Sequence, residues 1–269
     1  METEEAIHKA FDLSGQVALV TGAGSGLGRT SAEVLSLAGA NVICADINAQ
    51  RCEGTVAAIT EAGYRARAYN VDVSIRGEVE SMVADVVATD GRLDVMCNVA
   101  GIMMDSKILD LTLENFDRVM SVNLKGTLFG CQAAGRAMVA QGHGSIINMA
   151  SAAVLTPAPE IGAYAMSKAA VVQLTKTLSM ELGRKGVRVN TVAPGFIPTN
   201  MTARYYTRPD GTVDEDLKAA VLGPMARFSP LGRVGEPLDV AYCILYLASN
   251  ASSFVTGQML SPNGGVAMA

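Results

Sequence analysis

The chain has 269 residues, a formal net charge of −5 at pH 7 and a hydrophobic content of 49%. This length fits one large α/β domain, and the hydrophobic content excludes an intrinsically disordered chain. The acidic balance argues against a nucleic-acid-binding protein, which would normally carry a basic surface. No apolar run reaches the about 18 residues that a membrane span needs, and residues 1–9 are too polar for a signal peptide, so we expect a cytoplasmic protein.

The scarcity of histidine and the spacing of cysteine limit the chemistry of the chain. The five cysteines are scattered without a Cys-x-x-Cys pair, so neither a disulfide framework nor a zinc site is predicted. The two histidines, His8 and His143, leave almost nothing from which to build a Ser-His-Asp triad or a multi-histidine metal site. We therefore expect reduced thiols and no bound metal.

Short apolar, β-branched runs alternate with longer segments of helical period along the chain. Strands are predicted at residues 16–21, 41–45, 65–71, 93–97, 144–150, 187–193 and 258–261. Helices are predicted at residues 26–39, 49–62, 76–89, 112–141, 163–184 and 236–249. We expect the fourth helix to break near Gly126 or Gly130. The alternation is typical of a Rossmann-type α/β fold, a doubly wound parallel sheet of about seven strands with helices on both faces. We expect a tail over residues 1–13 and a single domain over residues 14–269.

Residues 195–235, here called the lid, interrupt this alternation. A short helical piece is predicted near residues 214–226. The prolines of the segment are Pro198, Pro209, Pro224 and Pro230. A long insertion in a compact domain is usually a binding loop that closes over a site. We therefore expect the lid to cover a substrate, and a surface loop without function is the alternative.

A glycine-rich turn joins the first predicted strand to the first helix. Gly22, Gly26 and Gly28 stand in a G-x-x-x-G-x-G pattern there. Such glycines let the backbone approach a pyrophosphate, and the helix N-terminus offers free N–H groups and the positive end of its dipole. In its strand–turn–helix setting, the pattern predicts a nucleotide site, with an ordinary loop as the alternative.

The next acidic residue at a strand end bears on the choice between NAD and NADP. Asp46 ends the second strand, 18 residues after Gly28, where a carboxylate is expected to accept hydrogen bonds from the adenosine ribose. It would repel a 2′-phosphate, and Ile47 beside it offers no phosphate clamp. The pair favours NAD, although Asp46 could instead cap the following helix.

Tyr164 and Lys168 are four residues apart at the start of a predicted helix and therefore share one face. A phenol has an ordinary pKa near about 10, which a nearby ammonium and a nicotinamide cation would lower. A tyrosine with a lowered pKa suits general acid–base work on an alcohol. Ser151 follows the fifth strand, at the edge where α/β sheets bind ligands, and could donate to a substrate carbonyl or merely cap a turn.

Taken together, these motifs resemble the short-chain dehydrogenase/reductase family from about residue 13 to residue 265. Asp72-Val73 is similar to the family's adenine-contacting pair, and Asn123 stands where the family carries an active-site asparagine. Asn98-Val99-Ala100-Gly101 resembles its Asn-Asn-Ala-Gly segment, with Val99 as a departure that costs one potential hydrogen bond. Ala150 stands where many members carry a first serine. Further landmarks are Pro194-Gly195, Ile197, Thr199, Pro230-Leu231-Gly232-Arg233 and Val255-Thr256-Gly257.

The resemblance implies a role for each matched residue. Tyr164 would be the general acid/base, Lys168 would bind the nicotinamide ribose and lower the Tyr164 pKa, Ser151 would position the substrate oxygen, and Asn123 would hold a water in a proton relay. The implied cofactor-binding set comprises Gly22, Ser25, Gly26, Leu27, Gly28, Asp46, Ile47, Asp72, Val73, Asn98, Ala100, Gly101, Tyr164, Lys168, Pro194, Gly195, Ile197 and Thr199.

The leading hypothesis is an NAD-dependent oxidoreductase that interconverts a secondary alcohol and a ketone by hydride transfer. The alternatives are an NADPH-dependent 3-oxoacyl-thioester reductase and a non-catalytic dinucleotide-binding protein. A hydrophobic or cyclic substrate is suggested by the predicted pocket wall, which comprises Met103, Met104, Ala153, Val154, Pro157, Ile161, Tyr205, Tyr206 and Phe228. The resemblance also implies a homotetramer built through helices 112–141 and 163–184. Small residues there would allow close packing between subunits or against the sheet, namely Ala133, Ala134, Gly135, Ala169 and Ala170.

Overall fold

A computed structural model describes residues 2–268 of the chain. Within these residues it contains one sheet of seven parallel strands in the order β3-β2-β1-β4-β5-β6-β7. The strands are β1 (Val17–Thr21), β2 (Asn41–Asp46), β3 (Ala66–Asn70), β4 (Val95–Asn98), β5 (Gly144–Met149), β6 (Val187–Val192) and β7 (Met259–Leu260). The predicted doubly wound parallel sheet is thus confirmed.

Helix α1 precedes β1, and the other helices lie in the connections between successive strands. They are α1 (Glu2–Phe11), α2 (Gly26–Leu37), α3 (Ala49–Glu61), α4 (Arg76–Asp90), α5 (Leu113–Met120), α6 (Thr127–Gln141), α7 (Gly162–Leu182), α8 (Asn200–Ala203), α9 (Glu215–Phe228) and α10 (Pro237–Ala248). Local signals set several ends: Asn48 caps α3 by accepting from the Arg51 N–H at 2.9 Å, and Gly91 ends α4 with a φ of 77°. The first helix, α1, occupies the segment for which a tail is expected.

Both faces of the sheet are covered, because successive strand residues point to opposite sides. Val20 and Val42 pack into a buried cluster with residues of α2, α3 and α10. Their neighbours Leu19 and Ile43 pack into a second cluster with residues of α4, α6 and α7. The continuous apolar strands of the sequence therefore correspond to a core on each side of the sheet.

The long helical stretch from residue 113 to residue 141 does not break at its glycines. It passes instead through a π-helical turn, Ser121–Gly126, between α5 and α6. A Cβ on Gly126 would lie 2.9 Å from Val73 Cγ2, and a Cβ on Gly130 would overlap Asn98 Oδ1. The expected break is therefore corrected: both glycines permit close packing against neighbouring elements.

The small residues of α6 are buried within the chain itself. Ala134 is fully buried in the cluster beneath the sheet, and a Cβ on Gly135 would lie 3.2 Å from Leu182 Cδ1. Ala133 belongs to the same cluster, whereas Ala169 on α7 is exposed. For Ala133, Ala134 and Gly135, packing inside one subunit is thus the alternative that the structure supports.

The lid lies between β6 and α10 and contains α8, α9 and a bridge between Thr207 and Val213. The helical piece predicted near 214–226 is α9, which begins at a side-chain cap from Asp214 and contains Pro224. No helix in the described part of the chain is both long enough and apolar enough to cross a membrane.

Candidate active site

A cavity of about 1160 Å³ opens at the carboxyl edge of the sheet. The glycine turn after β1 lines one part of it, and Ser151, Tyr164 and Lys168 line another. Open α/β sheets bind ligands at this edge, where the strand order reverses between β1 and β4. The structure therefore brings the predicted nucleotide turn and three of the four predicted catalytic residues to one space, whereas Asn123 does not line it.

The glycine turn is held in a shape that leaves no room for side chains. Gly22 has a φ of 70°, and a Cβ there would lie 2.9 Å from Ala100 Cα. A Cβ on Gly28 would overlap the carbonyl oxygen of Gly22. These glycines bring the backbone close to the loop after β4 and leave the N-terminus of α2 facing the cavity, as a pyrophosphate site requires.

Asp46 lines the cavity at the end of β2, beside Ile47. Its Oδ2 accepts from the Gly24 N–H at 2.9 Å, and its Oδ1 accepts from the Asn48 N–H at 2.8 Å. The side chain that caps α3 is that of Asn48, two residues later, so Asp46 does not have the alternative role of a helix cap. The carboxylate is thus fixed by two backbone donors and keeps lone pairs for a ligand.

Lys168 is buried on α7, one turn after Tyr164. Its Nζ donates to the Met149 carbonyl oxygen at 2.8 Å and lies 5.6 Å from the centroid of the Tyr164 ring. Burial lowers the pKa of Lys168 from 10.5 to about 8. The ammonium and the phenol therefore lie side by side at the cavity wall.

The pKa of the Tyr164 phenol is raised by burial, and this is partly offset by a hydrogen bond with Ser151 and by the positive charge of Arg204. The lowered pKa expected from Lys168 and a nicotinamide cation stays a prediction. Ser151 Oγ also accepts from the Ala153 N–H at 3.2 Å, so this serine caps a turn and contacts the tyrosine as well.

Asn123 lies in the π-helical turn, fully buried. Its Oδ1 accepts from the Ile102 N–H at 2.8 Å, and its Nδ2 donates to the Ile102 carbonyl at 2.9 Å and to Ser167 Oγ at 3.0 Å. Ser167 Oγ in turn donates to the Tyr164 carbonyl oxygen at 2.7 Å. The side chain of Asn123 therefore ties the loop after β4 to the helix that carries Tyr164 and Lys168.

The structure does not bring the side chain of Asn98 to the cavity. Its Nδ2 donates to Asn148 Oδ1 at 2.9 Å, and Asn148 Nδ2 donates to Thr175 Oγ1 at 2.9 Å, all within the core. The backbone that follows, Val99 to Gly101, lines the cavity instead. The amide of Asn98 thus joins β4 to β5 and α7 from inside the fold.

The other predicted cofactor residues line the cavity: Ser25, Gly26, Leu27, Asp72, Val73, Pro194, Gly195, Ile197 and Thr199. Sequence reasoning missed several lining residues: Val71, Ser74, Ile102, Asp117, Arg118, Ser121, Val122, Asn200, Met201 and Thr202. Most of them lie within three positions of residues already singled out, which is the signal that could have found them, whereas Asp117 and Arg118 have no such neighbour.

The substrate wall is partly as predicted. Met103, Ala153, Ile161 and Tyr205 line the cavity. Five expected wall residues do not line it: Met104, Val154, Pro157, Tyr206 and Phe228. Tyr206 is 5% exposed and packs inside the lid, whereas Phe228 is 76% exposed and faces away. Their places are taken by one face of α9, formed by Ala220, Val221, Pro224 and Met225.

Two cations, Arg118 and Lys168, lie in the cavity lining. Among residues 2–268, no group of three or more His, Cys, Asp or Glu side chains is placed to hold a metal ion.

A family model described as Enoyl-(Acyl carrier protein) reductase matches residues 22–267. The Short-chain reductase protein NovJ of Streptomyces niveus is 41% identical over 249 residues, 93% of each chain. The NAD-dependent glycerol dehydrogenase of Listeria innocua is 36% identical over 98% of each chain.

Two solved structures are similar to this chain over nearly its whole length. A short-chain type dehydrogenase/reductase from Mycobacterium marinum has a TM-score of 0.88 and 35% identity, over 96% of this chain and 98% of that one. A gluconate 5-dehydrogenase from Burkholderia cenocepacia, in complex with NADP and tartrate, has a TM-score of 0.88 and 32% identity, over 97% of this chain and 98% of that one.

Proposed function

Because this chain belongs to the short-chain dehydrogenase/reductase family, we propose that it is an NAD(H)-dependent oxidoreductase that interconverts a secondary alcohol and a ketone. The observation that carries the proposal is the single cavity lined both by the glycine turn and by Ser151, Tyr164 and Lys168. A bound nicotinamide dinucleotide would supply the acceptor or donor of the hydride.

The residues present fit such a dinucleotide. The turn over Gly22 and Gly28 forms a cradle that a Cβ would fill, and the N-terminus of α2 offers free N–H groups to a pyrophosphate. Asp46 would accept hydrogen bonds from the adenosine ribose, and Lys168 would donate to the nicotinamide ribose.

Tyr164 would handle the proton at the reacting oxygen. In the oxidative direction the phenolate of Tyr164 takes the hydroxyl proton while the alcohol carbon loses its hydride, and the ketone is released. The hydroxyl of Ser151 orients the substrate oxygen beside the phenol. The positive charge of Lys168 stabilises the phenolate, because opposite charges lower the pKa of a nearby acid.

Asn123 would support the proton relay from a fixed position. Both N–H groups of its amide are already used by Ile102 and Ser167. Its backbone carbonyl accepts from Thr127 Oγ1 at 2.7 Å and keeps a second lone pair. A relay water would therefore bind an oxygen of Asn123, on the side of Lys168.

The proposal of NAD over NADP rests on Asp46. Its two backbone hydrogen bonds hold a carboxylate at the cavity wall, where it would repel the 2′-phosphate of NADP, and Ile47 beside it would offer that phosphate no positive charge. The similar glycerol dehydrogenase is NAD-dependent, whereas the similar gluconate dehydrogenase was solved with NADP. The preference of this chain for NAD or NADP is therefore tested by kinetic measurements with both cofactors.

We propose a hydrophobic or cyclic substrate, covered by the lid. Ile161 and the cavity-facing residues of α9, among them Val221 and Met225, give the substrate side an apolar wall. An apolar substrate binds such a wall with a favourable free energy because water is excluded from apolar surface. A sugar would instead leave its hydroxyl groups without hydrogen-bond partners there.

A panel of aliphatic, cyclic, aromatic and steroidal secondary alcohols, assayed with NAD and NADP in parallel, tests the function. Turnover with NAD on one class is expected, and it is measured by the absorbance of the reduced nicotinamide. Turnover with NADP alone would overturn the role of Asp46. Binding of either cofactor without turnover on any substrate would favour the non-catalytic alternative.

A second candidate is an NADPH-dependent 3-oxoacyl-thioester reductase. It is favoured by similarity to the 3-oxoacyl-[acyl-carrier-protein] reductase of Thermotoga maritima, which is 37% identical over 254 residues, 94% of this chain and 98% of that one. Adding 3-oxoacyl thioesters to the panel separates the two, since the second candidate requires the thioester and NADPH. A homotetramer is also proposed, and gel filtration measures it.

A further inference from the structure

One ion pair joins the lid to the opposite wall of the cavity. Arg204, directly after α8, donates to Asp105 Oδ1 at 2.8 Å and to the Met103 carbonyl oxygen at 3.1 Å. Its guanidinium also stacks at 4.8 Å over the ring of Tyr205 and donates to its hydroxyl at 2.9 Å. The Tyr205 hydroxyl donates to the same oxygen of Asp105 at 3.2 Å. We call these contacts between Arg204, Asp105 and Tyr205 the latch. Because Met103 and Tyr205 both line the cavity, the latch closes over the substrate side.

The anchor of the latch leads directly to the helix that carries Tyr164. Ser106, the residue after Asp105, donates its N–H to the Glu160 carbonyl oxygen at 2.7 Å and forms a parallel bridge with Ile161. Glu160 has a φ of 69°, which a non-glycine residue rarely adopts. Helix α7 begins at the next residue but one, Gly162. A displacement of Asp105 is therefore transmitted to the first turn of α7.

The latch also carries charge close to the reacting group. The positive charge of Arg204 lowers the pKa of the Tyr164 phenol, against the larger effect of burial. Lys168 on the same helix lies 5.6 Å from the centroid of the Tyr164 ring. Glu160 precedes the helix by two residues, and Asp105 faces Arg204 from the loop after β4. The other charged residues that line the cavity are Asp46, Asp72, Asp117 and Arg118. Arg204 is the cation that the lid contributes.

We propose that Arg204, held by Asp105, is a positioning residue that couples the seating of the lid to the proton-handling state of Tyr164. This rests on the proposed function. With the lid seated, the guanidinium is held at the carbonyl oxygen of Met103, a residue of the cavity wall, and favours the phenolate, the form needed to take a proton from an alcohol. With the lid displaced, Tyr164 loses this charge and the protonated phenol is favoured. Proton abstraction is thereby tied to an enclosed substrate.

Three variants separate charge from geometry. Arg204→Lys keeps the positive charge but loses the forked hydrogen bonds, Asp105→Asn weakens the anchor, and Arg204→Met removes both charge and anchor. All three are expected to raise KM severalfold. Arg204→Met should move the acid limb of the pH profile of kcat to more alkaline pH, so that the rate at a fixed pH there falls about twofold to threefold. Asp105→Asn should move it in the same direction by less, and Arg204→Lys, which keeps the charge, should move it least.

The control is Arg208→Met, which removes the ion pair between Arg208 and Asp214 inside the lid, at 3.1 Å. It breaks a bond of the same kind without touching the facing wall, and should leave the pH profile unchanged. An equal displacement of the profile in Arg204→Lys and Arg204→Met, or none in either, would overturn the proposal.

A titration that needs no turnover keeps the latch testable if the proposed activity fails. The chain has seven tyrosines and no tryptophan, so tyrosinate absorbance is read without interference. Arg204→Met is titrated with and without the further change Tyr164→Phe, and the natural chain is titrated in the same two forms. In each pair the difference between the two curves is the titration of Tyr164 alone. A higher titration midpoint for Tyr164 is expected, and an unchanged midpoint would overturn the coupling.

Discussion

Lys168 Nζ donates to the backbone carbonyl oxygen of Met149 at 2.8 Å, which ties the helix that carries Tyr164 to the end of β5. Ser151 follows Met149 by two residues and contacts the Tyr164 phenol. One buried hydrogen bond thus sets the distance between the two sides of the candidate catalytic centre. The roles proposed for these residues lead to separable predictions.

Replacement of Tyr164 by Phe should leave cofactor binding intact and reduce kcat by about 10²–10⁴-fold, because only the oxygen that handles the proton is removed. Cofactor binding is measured by calorimetry, and kcat is measured by the absorbance of the reduced cofactor. Tyr242→Phe, at an exposed site on α10, is the matched control and should behave as the natural chain. Substantial residual turnover would contradict the role.

Replacement of Lys168 by Met should change the pH dependence of stability of the protein without cofactor. The pKa of Lys168 is about 8 in the fold and 10.5 when exposed, so between these values the unfolded chain binds more protons and folding stability rises with pH. As pH falls from 10.5 to about 8, the natural chain loses stability relative to the variant, by up to roughly 3 kcal/mol, and below about 8 the difference is constant.

Denaturant unfolding of the natural chain and the Lys168→Met variant across this range measures the difference. A difference that does not vary with pH would show that Lys168 titrates as an exposed lysine, and would contradict the burial of its ammonium.

Replacement of Asp46 by Asn should weaken discrimination against NADP. The amide keeps one acceptor for the backbone donors at Gly24 and Asn48 but no longer repels a 2′-phosphate. We expect the ratio of kcat/KM for NAD to that for NADP to fall about tenfold or more. Asp12→Asn is the control, since Asp12 also accepts from a backbone N–H, at Ser14, away from the cavity. An unchanged ratio would place the discrimination elsewhere.

Two glycine-to-alanine changes on helices should have opposite effects. Gly28→Ala places a Cβ against the Gly22 carbonyl and should both destabilise the fold and abolish tight cofactor binding. Gly54→Ala, on α3, meets no atom within 4 Å and should stabilise the fold by about 0.5–1 kcal/mol. Thermal unfolding with and without cofactor measures both. Normal binding by the Gly28 variant would contradict the cradle.

The sheet was predictable because its strands are continuous apolar runs that alternate with helical segments, and this pattern depends only on local sequence. The strand ends were less predictable: the third strand, predicted from residue 65 to 71, is Ala66–Asn70 at the sheet edge, where partial exposure blurs the pattern. The lid was recognised as an insertion, but α8 has only four residues and no periodicity to reveal it.

Within the candidate site, residues that match a motif reach the cavity through their backbone or their side chain, and sequence cannot tell which. Asn98 illustrates the point, because its amide turns to Asn148, 50 positions away, while the following backbone lines the cavity. Arg204 pairs with Asp105 across 99 positions, and no local pattern indicates this contact. Such placements depend on tertiary packing.

The π-helical turn at Ser121–Gly126 has a consequence for insertions and deletions in this chain. A π turn accommodates one residue more than the α-helix it interrupts. Losing one residue there would restore regular winding and rotate the part of the helix before it by about 100° against the part after it. Asn123 could then no longer reach Ile102, or α6 could no longer pack beneath the sheet. This segment should therefore keep a fixed length wherever the same site is retained, and substitutions should be tolerated only outside Asn123 and Gly126.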